Sequence, residues 1–182
     1  MSKSIGLIEF NSIAKGIEVA DTMLKAADVE LVIAKPICPG KYIVLVSGEV
    51  AAVKASIEAG EEISEQFLIN SLVLANIDEQ IFKGIHGTTE LKNPDALGVL
   101  EFFSITSAIV ATDRAVKATQ IEIIEIRLGF AIGGKSFVTF TGDVSSTEEA
   151  VEIAAKVGME DGMLLNKAFI PSPRKEIFDN LL

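Results

Sequence analysis

The chain contains 182 residues, of which 49% are hydrophobic, and its mean hydropathy is +0.42. No apolar run approaches the ~18 residues that span a membrane, so we expect no membrane partner and expect the excess apolar surface in subunit interfaces. The net charge of −10 argues against a nucleic-acid partner, and a single cysteine cannot form an internal disulfide, which fits a reducing cytoplasm.

The first predicted elements are a strand, a helix and a hairpin. Ile5–Phe10 is a short apolar run and predicts a strand. Ser12 is suited to cap a helix, whose apolar residues recur at helical spacing as far as Leu24. The β-rich segments Glu30–Ile37 and Lys41–Ser47 predict a hairpin, because a proline and a glycine lie between them.

The next elements complete one module. Val50–Ala59 predicts a second amphipathic helix, Leu72–Ala75 predicts a fourth strand, and Ile81 lies in a predicted short helix. Gly84–Pro94 has the composition of a linker. The order β-α-β-β-α-β predicts a ferredoxin-like sandwich of the α+β class, with the helices on one face of the sheet.

The module occurs twice, because Gly6–Ala26 and Gly98–Ala118 share residues at a constant offset. The identical pairs are Gly6/Gly98, Glu9/Glu101, Phe10/Phe102, Ser12/Ser104, Ile13/Ile105, Ile17/Ile109, Asp21/Asp113, Lys25/Lys117 and Ala26/Ala118. The sequence therefore predicts two domains, residues 1–90 and residues 91–182. One difference matters most, because Ile132 is the expected counterpart of Cys38 in the second copy.

The motifs of the module resemble those of the bacterial microcompartment shell domain. They are the Gly-apolar-apolar-Glu strand at Gly6, the Asp-x-x-Leu-Lys-Ala helix end at Asp21, the Gly-Glu-Val turn at Gly48 and the Ile170–Pro173 tail. Two copies in unpermuted order, with a cysteine in the first hairpin, resemble the tandem-domain (T-type) shell proteins of propanediol-utilisation compartments. The similarity covers nearly the whole chain.

This resemblance implies a structural shell tile. Single-domain relatives form flat hexamers, so a two-domain chain is expected to fill the same outline as a homotrimer, or pseudohexamer, that joins other shell proteins. The loops between strands are expected to converge on the central axis and line a pore. The expected pore-lining residues are Pro36, Ile37, Pro39, Gly40, Lys41, Gly133, Gly134 and Lys135.

The resemblance also implies that Cys38 holds a [4Fe–4S] cluster. A buried, inert cysteine is the ordinary alternative, but the neighbouring prolines and Gly40 favour a loop tip. Such a cluster takes about four thiolates, which one chain cannot supply, whereas a trimer brings three around one axis. Lys41 is then expected to offset part of the negative charge of the cluster.

A cluster on the axis is expected to relay electrons across the shell, with encapsulated redox enzymes as candidate partners, or to be delivered intact for their repair. The alternative within the same family is a tile whose pore conducts small metabolites, with Cys38 free of metal.

A further alternative comes from residues 129–136, which match the nucleotide-binding pattern G-x-x-x-x-G-K-S in full. A P-loop opens a helix whose N-terminus faces phosphate, whereas Ser136–Thr141 is β-branched and aromatic. We therefore expect a hairpin loop here, equivalent to the loop that carries Cys38, and no nucleotide site.

The other candidate residues have ordinary explanations. His86 lies in the predicted linker and is expected to be exposed and passive. Lys25 and Lys117 match the family lysine at the tile edge, and otherwise they are helix-end lysines that favour the helix dipole. Asp21 and Asp113 recur mid-helix and are expected to be structural. The sequence contains no Ser/His/Asp set, HExxH motif or paired-cysteine motif, which predicts that the chain is not an enzyme.

Overall fold

The computed structural model describes residues 4–89, 91 and 94–181, which separate into two compact units, Met1–Ile77 and Asp78–Leu182. The first unit contains β1 (Ser4–Phe10), α1 (Ile13–Ala26), β2 (Glu30–Ile37), β3 (Lys41–Gly48), α2 (Val50–Ser64), a 3-10 turn (Glu65–Phe67) and β4 (Leu68–Leu74). The second contains α3 (Glu79–His86), β5 (Ala96–Phe102), α4 (Ile105–Ala118), β6 (Ile121–Leu128), β7 (Ser136–Gly142), α5 (Val144–Glu160), β8 (Leu164–Ile170) and α6 (Lys175–Phe178).

Each unit is built on one four-stranded antiparallel sheet. The strand order is β2-β3-β1-β4 in the first unit and β6-β7-β5-β8 in the second. In both sheets the hairpin inserts its second strand beside the first strand of the unit, so the connection through α1 or α4 is a split β-α-β crossover. The predicted ferredoxin-like sandwich is therefore confirmed for both copies.

The core of the first unit lies between the sheet and its two helices. Ile8 and Phe10 alternate along β1 toward the helices and pack with Val19 of α1 and with Val53 and Ile57 of α2. Both helices thus cover the same face of the sheet. This burial of aliphatic and aromatic side chains is the main source of stability for a domain of this size.

The caps of the helices show which sequence signals are shared by the copies. Ser12 accepts a hydrogen bond from the backbone N–H of Lys15, as the sequence predicts, and Ser104 caps α4 in the same way. Asp143 caps α5 by accepting from Ser146, and these hydrogen bonds lower the pKa of the Asp143 carboxyl. Glu49 occupies the cap position of α2 without a side-chain bond.

The helix α3 follows the first sheet in sequence but packs on β6 of the second. It extends to His86, so it includes the start of the predicted linker. Residues 78–89 thus belong to the second unit. The predicted domain boundary lies after residue 90, which is outside the described residues, so that boundary stays a prediction. Within the described residues, no helix is long and apolar enough to cross a membrane.

Candidate functional site

The loop that joins β2 to β3 presents Cys38. Ile37 is buried at the end of β2 and anchors the loop, whereas Pro39 and Gly40 are exposed. Cys38 lies between them as a free, half-buried thiol. A Cβ added to Gly40 would have no heavy atom within 4 Å, so the loop tip faces open space. The thiol is therefore held at an accessible turn rather than in the core.

The equivalent loop of the second unit differs in length and shape. It spans residues 129–135, whereas the first spans residues 38–40. Four of its residues, Gly129, Ala131, Gly133 and Gly134, have a positive φ, which gives the loop a glycine-dependent path. Ile132 is half-buried. The two loops consequently share a place in the fold but do not correspond residue by residue.

An ion pair recurs at the base of both loops. Lys41 Nζ donates to Glu9 Oε1 at 2.9 Å, and Lys135 Nζ donates to Glu101 Oε2 at 3.0 Å. The Glu9 side chain is only 6% exposed, against 38% for Glu101. The charges of both lysines are therefore already paired within the chain, which weakens the expectation that Lys41 is free to offset the charge of a cluster.

This pairing escaped the sequence analysis, although a signal for it was present. Glu9 and Glu101 are identical positions of the repeat. Lys41 and Lys135 each follow a glycine, the first at the start of β3 and the second just before β7. A glutamate and a lysine that both recur in the two copies favour a direct contact between them, because a buried carboxylate needs a partner.

The glycine-rich segment of residues 129–136 has the geometry of a hairpin loop. Ser136 begins β7 and pairs in register with Phe102 of β5. Because a strand follows the loop, the loop does not open a helix whose N-terminus could face phosphate, and Lys135 is bound to Glu101. The arrangement thus lacks the feature by which a P-loop holds phosphate, in agreement with the sequence-based interpretation.

The fit of these side chains to a metal centre depends on how many ligands one chain supplies. Across residues 4–89, 91 and 94–181, no three His, Cys, Asp or Glu side chains are grouped so as to hold a metal ion. Each chain supplies one thiol, at Cys38. A [4Fe–4S] cluster needs about four ligands, so these residues fit such a group only if several chains each contribute one accessible thiolate.

The candidate edge lysines lie in different surroundings. Lys25 pairs with Asp21 at 2.5 Å on an open helix surface. Lys117 pairs with Asp113 at 2.6 Å, and the Asp113 carboxylate also accepts the backbone N–H of Asp78 at 2.9 Å. Asp113 is buried and Asp21 is exposed. The duplicated aspartates therefore serve as hydrogen-bond and ion-pair partners, and only the second is covered.

Comparisons with known proteins give consistent matches to both units. A family profile described as the BMC domain matches residues 4–77 and 96–173. The chain is 38% identical to the bacterial microcompartment shell protein PduT of Citrobacter freundii, over 100% of this chain and 99% of that protein. It is also 37% identical over 90 residues to the carboxysome shell protein CsoS1C of Hydrogenovibrio crunogenus, which covers 50% of this chain and 87% of that protein.

A solved structure extends the similarity to the whole fold. The crystal structure of a microcompartment protein from Desulfitobacterium hafniense superposes with a TM-score of 0.94 and 50% identity. The match covers 98% of this chain and 99% of that chain, so both sheets and their order along the sequence are shared.

Proposed function

The chain belongs to the BMC-domain family and is a bacterial microcompartment shell protein with two BMC domains. From this premise we propose that it is a non-enzymatic tile that assembles as a homotrimer. The doubled domain supports this assembly. Half of the chain covers most of a carboxysome shell protein, so three chains supply the six domains expected of a single-domain hexamer. The trimer joins other shell proteins in the compartment wall.

The hairpin loops of the six domains line the central axis of this trimer. The first loop contributes Pro36 through Lys41 and the second contributes Gly133 through Lys135. The open space at Gly40 and the exposure of Pro39 support this placement, because an uncovered loop tip is available to symmetry-related copies.

In the trimer each chain offers one Cys38 thiolate to a shared [4Fe–4S] cluster. When bound, the cluster supplies one-electron redox chemistry at the shell. The observation that supports it is the accessible thiol at the tip of the first loop, together with the lack of a cysteine in the second. The Glu9–Lys41 ion pair holds the base of the loop and so limits the positions that Cys38 can take.

The task of this site is electron transfer across the shell, with encapsulated redox enzymes as partners on one side. A cluster on the axis leaves no free passage, which separates this function from that of a tile whose pore conducts metabolites.

Anaerobic purification with iron and sulfide analysis tests the proposal. Light scattering should report about 58 kDa, three times the 19.4 kDa chain. The protein should be brown, absorb broadly at about 400 nm, and hold about four irons and four sulfides per trimer. Cys38→Ser is the matched control and should give a colourless trimer of the same mass.

Two results would contradict the shared site. One complete cluster per chain would show that a single Cys38 suffices, and iron retained by Cys38→Ser would place the ligands elsewhere. A colourless wild-type trimer after reconstitution would favour the metabolite-conducting pore instead.

A further inference from the structure

The helix α6 is the second copy of α3, and the two differ in how much of their surface is covered. Their caps are Asp78 and Arg174, and the following residues match in order, so that Ile81 corresponds to Ile177. Ile81 is fully buried, whereas Ile177 is 47% exposed. The same amphipathic helix is therefore buried in one copy and uncovered on one side in the other.

The helix α3 shows which surface this motif binds. Its cap residue Asp78 donates a backbone N–H to the Asp113 carboxylate at 2.9 Å. The Gln80 amide bonds the edge strand β6, since it donates to Ile121 O at 3.2 Å and accepts from Ile123 N–H at 3.0 Å. These three hydrogen bonds align the helix with α4 and β6.

The apolar contact of α3 is equally close. A Cβ added to Gly84 would lie 2.6 Å from Cγ2 of Ile123 and 3.0 Å from Cγ1 of Ile126. Beneath the helix, Ile123 is 1% exposed. The glycine thus allows the helix backbone to approach the two isoleucines of the edge strand.

The first unit has an equivalent surface on α1 and β2, and part of it is exposed. Leu31 pairs with Val46 in the first sheet and Ile123 pairs with Phe140 in the second, so Leu31 is the equivalent of Ile123. By the same register Ala34 takes the place of Ile126. Leu31 is 44% exposed, and the Asp21 side chain, equivalent to that of Asp113, is exposed as well. Asp21, Leu31 and Ala34 are named here the α1–β2 surface.

The helix α6 is fixed to its own unit by its opposite side. Phe178 is buried in a cluster with Leu97 and Ile124, against which Leu91 and Leu181 also pack. Because Ile177 precedes Phe178 by one residue, about 100° away around the helix, it points away from this cluster. The chain therefore holds α6 in place and leaves its Ile177 side without a covering element within the described residues.

We propose that the Ile177 side of α6 docks on the α1–β2 surface of a second copy of this chain, in the way that α3 binds the second unit. The proposal rests on the homotrimer proposed above and specifies its subunit contact. The two surfaces are different, so the contact runs head to tail rather than about a two-fold axis, and three such contacts complete the proposed trimer.

Size and charge fit this occupant. The residue equivalent to Gly84 in sequence order is Asn180, which lies in the turn after α6 and needs more space. Ala34 supplies that space where the second unit has Ile126. Arg174 replaces Asp78, and on docking it would exchange its ion pair with Glu176, 3.8 Å long, for the Asp21 carboxylate, which Lys25 also contacts. Glu176 replaces Gln80 and can accept the N–H of the edge strand, although it cannot donate to the carbonyl.

The proposed docking of α6 also agrees with the proposed tile edge. Lys117 remains 37% exposed beside α3. Its equivalent Lys25 therefore stays accessible when α6 is docked on the α1–β2 surface, and it is available to a neighbouring tile.

Cysteine cross-linking between two variants tests the contact. Leu31 and Asn180 are the positions equivalent to Ile123 and Gly84, whose close contact brings the β-carbons within the spacing of a disulfide. Leu31→Cys and Asn180→Cys are each made in a Cys38→Ser background, which removes the native thiol. The two proteins are coexpressed and oxidised. A covalent dimer on a non-reducing gel is expected from the mixture and from neither variant alone. Lys175→Cys, whose side chain is 87% exposed, replaces Asn180→Cys as the control.

The oligomeric state of the same samples separates the possible failures. A trimer that gives no cross-link, or one that cross-links equally through Lys175→Cys, overturns the docking contact and leaves the homotrimer standing. A monomer under reducing conditions overturns both.

A surface variant provides an independent measurement. Ile177→Asp should raise the concentration at which the trimer dissociates by at least about tenfold, because the contact would bury an unpaired carboxylate. Val144→Asp changes a residue of similar exposure, 43%, on α5 and should leave this concentration unchanged. Equal behaviour of the two variants would contradict the contact, and circular dichroism checks that both are folded.

Discussion

The hairpin loops of the first and second domains join equivalent pairs of strands and differ in length and in side chains. The first is short and ends in an accessible thiol at Cys38, whereas the second is longer and takes its path from glycines. The sheets beneath them keep the same strand order. The two copies thus share the scaffold, whereas the loop of the first contains a thiol that the loop of the second lacks.

The cores of the two domains differ by compensating changes of size. In the first, a Cβ on Gly16 would lie 2.5 Å from Cδ1 of the Tyr42 ring. In the second, the same two positions carry Ala108 and Ser136. A larger strand residue thus accompanies a smaller helix residue, as close packing requires. At this place the fold therefore constrains the summed volume of the two core side chains rather than the identity of each residue.

The largest expected effect concerns the two loops. Cys38→Ser should abolish the brown colour and the bound iron, whereas Ile132→Cys added to it should not restore either. The reason is geometric, because Ile132 lies in the longer loop of residues 129–135, whereas Cys38 lies in the loop of residues 38–40. Iron analysis of both variants after anaerobic reconstitution gives the measurement. Ile132→Cys alone should keep the wild-type iron content, and recovery of iron in the double variant would show that the loops are interchangeable.

The sequence was sufficient for the parts of the structure that depend on local patterns. Apolar periodicity and the cap at Ser12 predicted α1, and the proline and glycine between β2 and β3 predicted their hairpin. The fourth strand was predicted too short, because polar Asn70 and Ser71 interrupt its apolar pattern, although β4 begins at Leu68.

Contacts between distant segments were less accessible to such reasoning. The packing of α3 on β6 depends on the fit of Gly84 to two isoleucines, Ile123 and Ile126. The spacing of apolar residues in the sequence does not predict such a fit. The buried carboxylate of Glu9 likewise becomes meaningful only once β1 and β3 lie side by side. Of the candidate site, the loop position of Cys38 was predictable from its neighbours, whereas the different length of the second loop became clear only with its strands assigned.

The next effect compares the two ion pairs below the loops. Lys41→Ala should lower the free energy of unfolding of the first domain by about 2 kcal/mol, because it leaves Glu9 buried without a partner; a fully buried pair would lose more. Lys135→Ala should cost at most about 1 kcal/mol, since Glu101 is partly exposed. Amide hydrogen exchange of β1 and β5 measures each domain separately.

A second substitution controls this comparison. Glu9→Gln in the Lys41→Ala background should recover part of the loss, because a neutral amide is less costly to bury than a carboxylate. Equal losses for the two lysine variants would indicate that burial of Glu9 does not decide the energy of its pair.

The edge lysines should give a smaller change in stability and a distinct change in assembly. Lys117→Ala should lower the free energy of unfolding of the second domain by about 1 kcal/mol, because Asp113 is buried, and Lys25→Ala should cost less than about 0.5 kcal/mol. The double variant should remain trimeric and form fewer sheets with other shell proteins in electron micrographs. Lys156→Ala, an exposed lysine of α5, is the control, and unchanged tiling by the double variant would remove both lysines from the tile edge.

The smallest effect lies at the start of the second helix of each domain. Asp143 caps α5 through the backbone N–H of Ser146, whereas Glu49 at the equivalent position of α2 makes no such bond. The glutamate side chain is one methylene longer, and aspartate is among the residues that cap helices best. Glu49→Asp should therefore raise the free energy of unfolding of the first domain by about 0.5 kcal/mol.

The pH dependence of this gain identifies its cause. Hydrogen bonding lowers the pKa of Asp143 in the folded state, so a carboxylate cap stabilises fully above the ordinary pKa of aspartate and less as the pH falls through the lowered value. The gain from Glu49→Asp should shrink over the same acidic range. Tyr42 is the single tyrosine and the chain has no tryptophan, so urea unfolding followed by tyrosine fluorescence reports the first domain alone. A gain that Glu49→Asn reproduces and that acid leaves unchanged would assign the effect to helix geometry rather than to the charged cap.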